Sequence, residues 1–387
     1  MSDPPYDVII VGLGAMGSAA AYQLAHRGQR VLGLDAFPRG HTLGSSHGET
    51  RIIRMAYFEH PNYVPLLRRA YELWDQTAAA SSTQLLHLTG GLFIGPPQGD
   101  LVAGSLRSAQ THGLPHALLD ADEIRRRFPM LRPQSHEVGV FEERAGVLLP
   151  ERCIDAQLDL AAAAGADLRH AAAVERWTAR GGEVVVDTAA ERFAGARLIL
   201  TAGAWAGKLL RELELPLQPE RIPLFWFEAL RDPHQFDLGQ MPIWIWHDPA
   251  GAFFTTPHVA WPGVKIGKHH SLQYVDPDTV EREVSAADEA PLRSFLERCV
   301  PDLAGSIAQS RVCMYTNTPD EHFLIDVHPA HPAVVYACGF SGHGFKFASV
   351  VGEILADLAM TGRATPDADF LRAARLSDPQ TGAGASR

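Results

Sequence analysis

The chain has 387 residues, 46% of them hydrophobic and 20% charged, which supplies apolar material for a large core or for two cores. A formal net charge of -11 excludes a general polyanion binder, because nucleic-acid binding needs a basic face that displaces counterions. Four cysteines, Cys153, Cys299, Cys313 and Cys338, lack C-x-x-C spacing, so neither a disulfide framework nor a cysteine metal site is expected. With no leader-like segment and no apolar run long enough for a membrane, the reading is a cytoplasmic protein with no membrane partner.

In chain order, residues 6–11 form a short β-branched apolar run. Gly12-Leu13-Gly14-Ala15-Met16-Gly17 follows and opens an alanine-rich segment, 18–26, with helical spacing. A second strand over 30–34 ends in Asp35 and completes a βαβ unit. The glycine spacing suits a pyrophosphate: Gly12 permits the turn, Gly14 lets backbone approach the phosphates and Gly17 brings helix close to strand. Asp35 is placed to take the ribose hydroxyls.

Further along, the pattern predicts helices over 62–77, 122–128 and 151–164, a strand over 86–94, and a buried strand with a glycine turn over 197–205. Residues 223–266 change texture to short aromatic strands, which predicts an antiparallel sheet in a second domain. The chain then returns to strand-turn-helix over 334–360. Strand-turn-helix units that recur early, in the middle and at the end favour FAD over a nicotinamide cofactor, whose domain is normally contiguous.

Four further stretches carry a resemblance: Gly44-Ser45-Ser46-His47-Gly48-Glu49-Thr50-Arg51-Ile52-Ile53-Arg54, Cys313-Met314-Tyr315-Thr316, Pro319-Asp320-Glu321-His322-Phe323, and the run from Gly339 through Gly342 and Gly344 to Lys346 and Phe347. Over residues 6–360 the chain resembles the monomeric sarcosine oxidase and N-methyltryptophan oxidase family of flavoenzymes. The resemblance implies a mixed α/β, D-amino acid oxidase-like fold. In it a discontinuous Rossmann-type FAD domain (1–85, 148–218 and 317–375) joins a catalytic domain (86–147 and 219–316), with 376–387 as a flexible tail.

It also implies roles. Cys313 falls on the cysteine that bonds covalently to FAD, and Arg54 and Lys346 match the clamp for a substrate carboxylate. Lys265, in Gly263-Val264-Lys265-Ile266-Gly267, matches the lysine assigned to oxygen activation, and strand alternation puts it opposite Val264 and Ile266. His47, Thr50 and Arg51 match residues against the flavin, joined by Met16, Gly342 and Gly344, while His269 and Tyr315 match side chains of the substrate cavity. No metal is expected, since the His269-His270 pair lacks further ligands at useful spacing.

The implied activity is oxidation of the N-methyl group of a small secondary amino acid by O2, by a monomer. Phe254, Ser46 and Met55 depart from the family pattern and make the pocket more apolar, while Gly267-Lys268-His269 is similar to the N-methyltryptophan type. Oxidation of a cyclic amine such as pipecolate or proline, and a catalytically silent FAD-binding module, remain as alternatives.

Overall fold

Strand Tyr6–Val11 lies inside an eight-stranded sheet, between parallel neighbours Arg192–Leu200 and Val31–Leu34, with Asp167–Arg169 beyond the latter. A parallel strand covered on both faces reads as an unbroken apolar run, as 8–11 does. Helix Ala15–His26 covers one face and is itself packed against helices Pro150–Ala163 and Ala348–Thr361. That double contact explains its alanine content, since Ala19, Ala20 and Ala21 are almost wholly buried where larger side chains have no room. This computed structural model describes residues 5–364 and 368–377, so most of the expected tail over 376–387 lies outside the described residues.

The first half of Arg192–Leu200 pairs with the hairpin Val174–Arg180 and Glu183–Thr188, and its second half with His331–Cys338. Three segments distant in sequence therefore build one sheet. Its strand ends and the turn after Val11 form the floor of a long cavity.

The second sheet runs in the order Ile307–Asn317, Gln218–Phe227, Val264–His269, Gly251–Thr255, Ile243–Asp248, Gly91–Gly95, Val138–Glu142, Ala117–Asp120. It departs from the expected antiparallel sheet at one place, where 243–246 pair parallel with 91–94. These partners come from separate segments, so the chain between them supplies the crossover that a parallel pair requires. The aromatic texture has a packing cause: Phe295 of helix Ala286–Cys299 stacks on Phe253 at 4.1 Å and contacts Trp244 and Trp246. That helix begins at a capping box, Ser285 with Asp288.

Other sequence expectations shift. The strand expected over 86–94 is two strands, Leu86–Leu88 and Gly91–Gly95, in different sheets, because the chain turns at Gly90 with φ 72°. Leu86–Leu88 joins Arg51–Ile53 and Gly146–Leu148 in a three-stranded sheet. The helix expected from 62 runs on to Ser81, and the last helix begins as a tight turn, Phe345–Phe347, before Ala348–Thr361. Among the described residues no helix is long and apolar enough to cross a membrane.

Candidate active site

A cavity of 640 Å³ runs from the turn after Val11 to the inner face of the second sheet. Its wall includes Gly12, Gly14, Met16 and Asp35 around the turn, Lys265 with Thr50, Arg51 and Cys313, and Lys346 with Arg54, together with His269, Tyr315, Gly342 and Gly344. The volume falls in the usual range for ligand cavities, and its position at the carboxyl ends of parallel strands is where such folds bind dinucleotides.

The glycine turn fits that ligand. Gly12 has φ 93°, and a Cβ on it would meet the carbonyl oxygen of Thr201 at 2.5 Å. A Cβ on Gly17 would lie 1.8 Å from the Gly12 carbonyl oxygen. Gly17 accordingly does not line the cavity; its missing side chain lets the helix start beneath the turn. Helix Ala15–His26 then points its N-terminus at the cavity, where the Ala15 N–H meets Ser46 Oγ at 3.4 Å. Asp35 lines the cavity while its carboxylate accepts from the Leu13 N–H at 2.7 Å and the Phe37 N–H at 2.9 Å, so it also ties the turn to the end of Val31–Leu34.

In the middle, Cys313 is 3% exposed, and Arg51 Nη2 stands 3.7 Å from its sulfur. Arg51 is held by the carbonyls of Thr50, Ser45 and His47. His47, expected against the cofactor, is buried with neither ring nitrogen partnered among the described residues, and it does not line the cavity. Burial, then Arg51 and Lys265, pushes its pKa down to about 3, so its ring is neutral packing behind the loop.

The buried cations form two groups, Lys265 beside Arg51 and Lys346 beside Arg54. Lys265 is 3% exposed and donates from Nζ to the carbonyls of Gly48 at 2.8 Å and Thr50 at 2.7 Å. Burial, then Arg51, holds its pKa well below the ordinary lysine value. Val264 and Ile266 pack in the aromatic core beneath, as strand alternation requires. Lys346 is 5% exposed and donates to the His343 carbonyl at 2.6 Å, and burial and Arg54 lower its pKa to about 7. Arg54 lines the cavity but is not an open clamp, because Nη2 makes a bidentate pair with Glu59 at 2.6 and 2.7 Å. Its Nε has no partner among the described residues.

His269 Nδ1 meets the Tyr315 hydroxyl at 3.2 Å on the same wall. Phe254 crosses the wall and lies over Gly267, where a Cβ would meet the ring at 2.5 Å; the missing side chain makes its place. Ser46 lines the cavity, whereas Met55 and Lys268 do not. The Lys268 stem lies over Gly251, where a Cβ would meet its Cε at 2.6 Å, so Lys268 does not set pocket size.

Sequence reading missed the carboxylates that hold this site. Glu151 accepts from the N–H groups of Gly48 and Glu49, and Glu142 from those of Met55 and Ala56. Glu49 accepts from Trp226 Nε1 at 2.9 Å and from the N–H groups of Ala260 and Trp261 at 2.8 and 2.5 Å. Their only sequence signal is an acid inside an otherwise apolar or glycine-rich stretch. Glu49→Ala takes the acceptor from the buried Trp226 Nε1 and from the part-buried N–H groups of Ala260 and Trp261, and is expected to cost about 2 kcal/mol in chemical denaturation, with Glu49→Gln intermediate. A loss under about 1 kcal/mol for Glu49→Ala refutes this role.

Comparison with known proteins agrees with this geometry. Residues 7–358 match the family model described as FAD dependent oxidoreductase. The chain is 46% identical over 363 residues to a monomeric sarcosine oxidase of Streptomyces avermitilis, covering 93% of this chain and 94% of that protein. It is 35% identical over 374 residues to an N-methyl-L-tryptophan oxidase of Salmonella arizonae, covering 96% and 99%. Among solved structures, NikD, an unusual amino acid oxidase essential for nikkomycin biosynthesis, superposes with a TM-score of 0.84 at 23% identity, covering 95% of this chain and 97% of that one, a likeness of fold. A glycine cradle opening into a cation-lined cavity, and a family match across nearly the whole length, place this chain in the family of FAD dependent oxidoreductases.

Proposed function

We propose that the protein oxidises the N-methyl group of a small secondary amino acid, with FAD bonded through a thioether to Cys313 and oxygen as acceptor. The balance is secondary amine, O2 and water to primary amine, formaldehyde and H2O2. When bound, FAD would supply the redox chemistry, acceptance of a hydride equivalent from the methyl carbon and transfer of two electrons to oxygen. The observation that carries the reading is one cavity lined by the glycine turn, Cys313, Lys265, Arg54 and Lys346. Relatives at 46% and 35% identity named for sarcosine and N-methyl-L-tryptophan support it.

In this reading Lys346 and Arg54 hold the carboxylate, since a desolvated anion needs cationic donors. Glu59 shares Arg54 with that anion and limits its charge. His269 and Tyr315 orient the amine, and Phe254 excludes water from the methyl group. Lys265 sets a positive charge where oxygen is reduced. Residues 1–85, 148–218 and 317–375 would carry the cofactor and 86–147 and 219–316 the substrate, in a cytoplasmic monomer.

Purified protein is expected to stay yellow after acid precipitation and to release peroxide with N-methyl amino acids more readily than with pipecolate or proline. Cys313→Ala is expected to release its flavin on acid treatment. Flavin freed from the unaltered protein would remove the thioether, and absence of peroxide across the substrate panel would remove the activity.

A further inference from the structure

Behind the wall that carries His269 and Tyr315 lies a second layer of ionisable groups. His269 ends strand Val264–His269, and the next residue, His270, has φ 59°, in the left-handed region. Successive strand side chains ordinarily point to opposite faces. The turn at His270 cancels that alternation and brings the two imidazoles together, with ring centroids 4.1 Å apart.

His270 Nδ1 lies 2.8 Å from Glu220 Oε2, and its Nε2 is 3.6 Å from Glu321 Oε1, beyond a direct hydrogen bond. Glu220 is 0% exposed and accepts from Asn317 Nδ2 at 2.6 Å and the Leu272 N–H at 2.7 Å. It is the cross-strand partner of Tyr315. These two neutral donors and the Ser271 hydroxyl, at 3.4 Å, do not compensate a wholly buried carboxylate as a cation does, and His270 is the base in contact with it.

We propose that Glu220 and His270 form a built-in ion pair whose imidazolium, added to burial, keeps His269 neutral, so that His269 meets the substrate cavity as a hydrogen-bonding group and not as a charge. Glu220 and His270 are then positioning residues that act through His269 and Tyr315. A charged His269 would offer a substrate carboxylate a rival to Lys346 and Arg54 and permit a reversed pose. The groups facing His270 are Glu220, Glu321, His269 and Tyr315; those facing His269 include His343, His247 and Lys346. Burial opposes charge on His270, but the bond and charge of Glu220, with Glu321, outweigh it and raise its pKa. His269 moves the other way, by burial first and then by His270.

The consequence for turnover rests on the reading of the cavity given above; the protonation states do not. The test is a pH titration of histidine-labelled holoprotein without substrate, followed by nitrogen NMR. His270 is expected to be cationic and His269 neutral at neutral pH. Glu220→Gln removes the anion, so His270 loses its proton and the His269 pKa rises by about one unit; His270→Asn raises it likewise, and Glu220→Asp keeps the original pattern. A neutral His270 in the unaltered protein, or an unmoved His269 in both Glu220→Gln and His270→Asn, overturns the proposal. In turnover, the acid limb of kcat/KM is expected to move to higher pH in Glu220→Gln, whereas a merely structural role lowers the profile without moving it. If no N-methyl amino acid is oxidised, the titration still decides, because it needs no substrate.

Discussion

Replacing Lys265 with Met is expected to slow reoxidation of the reduced protein by oxygen by ~10²-fold or more, while reduction by substrate changes only a few-fold. The group is buried, and burial and Arg51 disfavour its charge in the protein alone. An anion arriving beside it reverses that balance, because the charged lysine then gains a partner in a poorly screened site. The positive charge is therefore available when electrons are about to leave for oxygen. Lys265 also donates to the Gly48 and Thr50 carbonyls, so Met removes one of the two donors that each carbonyl has, the Thr50 N–H and Arg51 remaining, and lowers the melting temperature modestly as well. Lys265→Gln retains a donor without the charge and separates the two effects. Stopped-flow measurement of both half-reactions decides: equal losses in reduction and reoxidation would remove the assigned role.

Lys346→Met is expected to lower kcat/KM for an N-methyl amino acid by ~10–100-fold, and to leave an N-methyl amine without a carboxylate nearly unaffected. Nζ spends one of its three donors on the His343 carbonyl and keeps the others for a ligand. Its pKa, lowered to about 7 by burial and Arg54, makes the pH dependence testable. Lys346 is charged below that value and neutral above it, and a carboxylate favours the charged form. Affinity for an amine-free carboxylic acid should therefore fall as pH rises above about 7, and this slope should vanish in Lys346→Met. The rate of flavin reduction should instead rise with pH, because the bound amine must lose its proton before hydride leaves. A pH-independent carboxylate affinity in the unaltered protein would contradict the assignment to Lys346.

The βαβ unit around Gly12, Gly14, Gly17 and Asp35 was legible because its contacts are local: a strand, a turn and a helix start within a few residues carry the whole signal. The face of Lys265 was legible for the same reason, since a period of two follows from backbone geometry alone. The break at Gly90 was not, because each half of 86–94 reads as strand and only the choice of partner sheet separates them. A repeated pattern says that a strand forms but not which strand lies beside it.

By itself the sequence determined the glycine turn, the interleaved strand-turn-helix units and the set of cationic side chains. Tertiary structure alone decided their electrical state. Glu59 pairs with Arg54, Glu49 and Glu151 hold the loop that carries Arg51, and Glu220 meets His270 from 50 residues away. Those pairings depend on which groups share a buried, poorly screened space, and that is set by packing between distant segments, not by residue type or spacing.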